Sequence, residues 1–219
     1  MKNFLLFLFI CFALPGLGQD LKKQTKRLPQ PYSKEVYEVL TSDNQTKNGT
    51  YEKYYYNGGI AEKGQYAANQ KTGSWNYYNA QGEIDQQYNW TDRKLESTKP
   101  ISSIQNYWVE ENGTFEPKEP DELPAFIGGE SALQRSIGSS IRYPADALRN
   151  RKGGEVLISV IITTEGQMVE EQIAKDLGYG LGEESLRVVK TLTGEWVPGK
   201  VKGQPVNTRL LIPVRFGVM

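Results

Sequence analysis

The chain has 219 residues, with 26 Lys and Arg balanced by 26 Asp and Glu, no histidine and a single cysteine. A formal charge of zero supplies no field of one sign to draw the chain onto nucleic acid or an anionic membrane. Without histidine the usual neutral-pH general base, the Ser-His and Cys-His nucleophile pairs and most zinc sites are excluded.

Taken in chain order, Lys2 precedes an apolar run from Phe4 to Leu14 and a small-residue exit, Pro15-Gly16-Leu17-Gly18. Residues 1–19 read as a secretory signal peptide, with the mature chain expected to begin at Gln19 or Asp20. A helix from Phe4 to Leu17 would reach roughly 21 Å against about 30 Å of hydrocarbon, which argues for cleavage over an inner-membrane anchor. Cys11 lies in this segment with Ile10 before it, so a lipoprotein is not expected, and the mature chain has neither disulfides nor thiol chemistry.

Asp20 to Lys34 is polar, and Val36 to Leu40 reads as a strand. Residues 34–94 carry an internal repeat with an offset of 24 residues: Gly49 with Gly73, Tyr51 with Trp75, Tyr54 with Tyr78, Gly58 with Gly82, Ile60 with Ile84, Tyr66 with Trp90. Asn57-Gly58 and Gln81-Gly82 stand where a tight hairpin needs φ > 0, so each unit predicts a β-hairpin, and the stack an open antiparallel sheet. Residues 95–123 read as a linker. Ile104 to Val109 is a candidate extra strand within it, and Glu116 to Pro124 is expected to be extended. The two halves are accordingly expected to fold independently.

From residue 124 to residue 219 the pattern predicts an α+β unit, a small antiparallel sheet with covering helices. Helices are expected at Glu130–Ser139, from Tyr143-Pro144 onward, and at Gly182–Leu192. Strands are expected at Glu155–Thr163, Met168–Lys175 and Val206–Val218. Val156, Ile158, Val160 and Ile162 share one face of the first strand. Val206, Leu210, Ile212, Val214 and Phe216 share one face of the last.

The repeats, from about Glu38 to Lys94, resemble MORN-like repeats of the antitoxin type. The second half carries Pro124-Ala-Phe-Ile-Gly-Gly129, Tyr143-Pro144, Gly153-Gly154-Glu155-Val156, Thr164-Glu165-Gly166, Trp196 with Pro198-Gly199, Gly203-Gln-Pro-Val206 and Pro213-Val-Arg-Phe216, in that order. It is similar to the TonB C-terminal domain in the version common in Bacteroidetes envelope proteins. That resemblance implies a periplasmic domain that grips an extended peptide of an outer-membrane receptor by β-strand addition to its last strand, in support of transport across the outer membrane. True energy transducers also have a transmembrane helix and a long Pro-rich spacer. Here the hydrophobic segment is short and expected to be cleaved, and the Pro-rich stretch is brief, so peptide binding is carried over ahead of coupling to inner-membrane motor proteins.

Pro213 has no N–H and belongs on the free side of its strand. Asn207, Arg209, Leu211 and Arg215 share that side and are the candidate peptide-binding edge. The alternative function is a structural envelope adaptor, in which the repeat sheet binds glycan or protein and the TonB-like unit forms a homodimer. Stacking of Tyr51, Tyr54, Tyr66, Trp75, Tyr78 and Trp90 on a glycan competes with their packing on one another. Tyr143-Pro144 and Trp196 are expected to pack rather than bind. Glu183-Glu184 suits a helix dipole, and Glu170-Glu171 cannot flank one substrate. No enzyme activity, cofactor, metal or nucleic-acid partner is expected.

Overall fold

The computed structural model describes residues 20–192 and 194–217. The signal peptide expected at 1–19 and the end of the last predicted strand lie outside the described residues. Seven strands form the first sheet: β1 (Leu21–Arg27), β2 (Tyr32–Leu40), β3 (Lys47–Tyr55), β4 (Ile60–Ala67), β5 (Gln70–Tyr78), β6 (Ile84–Asn89) and β7 (Lys94–Thr98). They pair antiparallel in chain order. The two repeat units are the hairpins β3–β4 and β5–β6, and their turn glycines, Gly58 and Gly82, have φ of 87° and 84°. The polar first segment holds β1, which pairs residue for residue with β2. Its sequence, LKKQTKR, has the lysines that keep an exposed edge from pairing with other chains, and those same charges hide it from a hydrophobicity pattern.

One face of this sheet carries an aromatic cluster of Tyr51, Trp75, Tyr77 and Tyr88. Tyr51 and Trp75, equivalent in the repeat, lie 5.3 Å apart between ring centroids. Trp75 lies flat over Gly64, where a Cβ would come within 2.3 Å of the ring. Tyr51 and Trp75 therefore serve the core. Tyr54 turns to the other face, where its hydroxyl donates to Glu52. Tyr66 and Trp90 pack only partly on the cluster.

The second half comprises β8 (Tyr107–Glu111), β9 (Thr114–Pro117), β10 (Ala125–Phe126), α1 (Gly129–Ser140), α2 (Ala145–Arg149), β11 (Gly154–Ile162), β12 (Met168–Lys175), α3 (Leu181–Lys190), β13 (Trp196–Val197), β14 (Gly199–Val201), β15 (Gln204–Val206) and β16 (Thr208–Phe216). Its main sheet runs β12-β11-β16-β8-β9. Val156, Ile158, Val160 and Ile162 with Leu210, Ile212 and Val214 are fully buried against Leu133 and Ile137 of α1 and Leu181, Val188 and Val189 of α3. Each such side chain contributes about 1.5–3 kcal/mol of burial. Tyr143 stands edge-on to Phe216, with its hydroxyl on the Lys152 carbonyl at 2.7 Å. Trp196 stands edge-on to Phe126, 5.4 Å away. Both residues pack.

The linker expected at 95–123 is corrected by three strands. β7 completes the repeat sheet, while β8 and β9 form a hairpin on the second sheet. The charged, Pro-rich stretch after it is fastened too, since Glu122 bridges to Lys200. Charge and proline describe a surface segment here, not a free one.

The two halves are also joined by side-chain contacts. Gln86, fully buried, donates to the Phe126 carbonyl at 3.0 Å and accepts from the Gly128 N–H at 2.7 Å. Gly128, at the N-cap of α1, has no side chain to cap the helix. Asp85 of the repeat sheet supplies the cap instead, accepting from the Ser131 N–H at 3.1 Å. Ile127 and Val197 pack on the aromatic cluster, so the second half finishes part of the repeat sheet's core.

Candidate functional site: the edge of the last strand

β16 is bonded along its whole length to β11, from Thr208 opposite Ile162 to Phe216 opposite Gly154. On its other side only the start of the strand is covered, with Thr208, Arg209 and Leu210 opposite Val109, Trp108 and Tyr107 of β8. The Glu110 N–H donates to the Asn207 carbonyl at 3.0 Å. Bonded pairs alternate along an antiparallel ladder, so Arg209 and Trp108 form the next one, and odd-numbered residues of β16 face β8. The parity inferred from Pro213 is therefore the parity seen.

The four candidate edge residues fall into two groups. Asn207 and Arg209 are already occupied: the Asn207 amide donates to Glu110 at 2.7 Å and accepts from the Thr164 N–H at 2.9 Å, and the Arg209 guanidinium lies 4.2 Å from the Phe115 ring centroid. As sites for an incoming strand these two are corrected by the chain's own β8–β9 hairpin. Leu211 and Arg215 lie beyond the paired stretch of β8, and from Leu211 to Phe216 the strand has β11 as its one ladder partner. Along that stretch the N–H and C=O groups of Leu211 and Arg215 and the C=O of Pro213 have no second ladder partner, although Pro213 itself is buried. Pro213, which costs a central strand a bond, is harmless here. The Arg215 side chain is held by Glu155 at 2.9 Å on the face away from the helices.

Of the carboxylates weighed as pairs, Glu184 has structural partners. Glu184 accepts from Arg187 at 2.8 Å and from the Arg142 N–H at 2.6 Å, and these contacts, Arg187 first, hold its carboxyl below the ordinary range against the effect of burial. Glu170 has φ of 55° within an irregular stretch of β12. Among the described residues no group of three or more His, Cys, Asp or Glu is placed to hold a metal, and no helix is long and apolar enough to cross a membrane. Sequence reasoning missed β8 as the occupant of the edge. Its apolar alternation, Tyr107 and Val109 buried with Trp108 between, was legible as a strand, but nothing local says which sheet it joins.

Residues 139–218 match the sequence model of the Gram-negative bacterial TonB protein C-terminal family. The matched segment lies within the second half of the chain. It begins at the end of α1 and leaves out the repeat sheet and the β8–β9 hairpin. The strand that covers the first third of the β16 edge thus comes from outside the matched region. No curated protein and no solved structure matches the chain.

Proposed function

We propose that this is a periplasmic binding protein, not an enzyme, whose TonB-like half docks an extended peptide of an outer-membrane receptor along β16. The observation that carries the reading is the partly covered edge: β16 is a nine-residue strand with one partner along its whole length and a second along only its first third. The backbone groups from Leu211 to Arg215 form a short template for strand addition. Five bonds at about 0.5–1.5 kcal/mol each, less ordering costs, give an affinity of about millimolar unless side chains add to it. The sequence resemblance to Bacteroidetes envelope proteins and to MORN-like repeats fits an exported protein whose hairpin sheet is a rigid platform for this domain.

The test is fluorescence anisotropy of a labelled N-terminal peptide from an outer-membrane receptor of the same organism, titrated with the whole chain. Leu211→Pro removes one donor from the edge and should weaken binding severalfold. Equal binding by the variant would show that the peptide docks elsewhere.

A further inference from the structure

The aromatic face of the repeat sheet does not close fully on the second half. Between them lies a cleft of about 530 Å³. That is the size of a small-ligand site, and it lies where such sites concentrate, between two packed units.

The sheet wall of the cleft combines ring faces with a charge-paired line. Glu62 accepts from Lys53 at 3.1 Å and lies 3.7 Å from Lys71. The Lys71 ammonium reaches the Tyr77 hydroxyl at 3.4 Å and lies over the rings of Trp75, at 4.1 Å, and Trp90, at 5.1 Å. Tyr66 stands edge-on to Trp75 beside it. The second half contributes Ile127, Ser136 of α1 and Glu195 to the lining. Burial holds the Lys71 ammonium below its ordinary pKa, the mark of a cation kept where an apolar side chain would pack at no such cost.

Two properties select a ligand class. Lys53 and Lys71 are balanced by Glu62 and Glu195, so the walls present no net charge to attract an ion. What they present is an ammonium and a carboxylate a few ångströms apart, suited to the donors and acceptors of neighbouring hydroxyls, beside flat aromatic faces suited to the C–H face of a sugar ring. We propose that this cleft binds a short neutral oligosaccharide, with one ring against Trp90 and Tyr66 and its hydroxyls on Lys71 and Glu62. The site is separate from the β16 edge and does not depend on strand docking there.

The test uses the whole mature chain and follows the Trp90 indole N–H by NMR. The probes are chitotriose and maltotriose, both neutral, trigalacturonate, which is acidic, and an extended neutral peptide. The proposal expects a neutral trisaccharide to shift the Trp90 signal saturably with Kd of about 1 mM or tighter. Lys71→Met, with its unfolding midpoint retained, and Ser136→Trp, which fills the cleft from the second half, should each weaken binding at least about tenfold. Failure of both neutral sugars to bind up to about 10 mM would overturn the proposal. So would preference for trigalacturonate or the peptide, or sugar binding that leaves Trp90 and both variants unaffected.

Discussion

Gln86 lies on a strand of the repeat sheet, yet both ends of its side-chain amide bond to backbone of the second half. Gln86→Leu keeps the volume but leaves the Phe126 carbonyl and the Gly128 N–H buried without partners. It should cost about 2–4 kcal/mol in urea unfolding, far more than a surface Gln would. Glu130 makes the complementary contact. Burial pushes its carboxyl up, but the hydrogen bonds from Ser102 and Ser103 outweigh that and hold it below its ordinary value of 4.5. A carboxyl depressed on folding contributes stability that is full above the unfolded value and is lost as pH falls through the folded one. Glu130→Gln should therefore lower the thermal midpoint near neutral pH and approach the parent in acid, and thermal scans across that range will show whether the two curves converge. Neither residue was legible in the sequence. Asp85-Gln86-Gln87 looks like a solvated strand, and what buries Gln86 is a partner more than forty residues away.

At the scale of elements, pattern and chemistry agree wherever the pairing is local. The hairpins β3–β4 and β5–β6 follow from glycines at fixed positions, and the buried faces of β11 and β16 follow from strict alternation. Legibility fails at edges. β1 is charged because it is an edge, and β8 looks the same whichever sheet it joins. This bears directly on the binding edge, whose parity could be inferred from Pro213 but whose occupancy could not. Trp108→Pro removes the N–H that bonds the Arg209 carbonyl, and should cost about 1–3 kcal/mol. It should also free the Arg209 amide for exchange. If strand addition occurs on β16, the variant should bind the receptor peptide more tightly than the parent, because the open edge then extends toward Asn207. Weaker binding would mean that β8 is part of the site rather than its competitor.

At the scale of the whole molecule, the charged and Pro-rich connector suggested two independent bodies, and the structure joins them through Gln86, the Asp85 cap on α1 and a shared aromatic cluster. The repeat sheet thereby fixes the start of α1, and α1 covers the sheet that holds β16. β8 and β9 pass from the connector onto the second sheet, leaving β16 covered along only its first third. The most direct test of that arrangement as a docking edge is residue-resolved amide hydrogen exchange of the whole chain, with and without receptor peptide. In the free protein Arg209 should be protected, while Leu211 and Arg215 exchange quickly, and saturating peptide should slow Leu211 and Arg215 and leave Arg209 unchanged. Peptide binding that leaves Leu211 and Arg215 exchanging as before, or full protection of both in the free protein, would contradict the account.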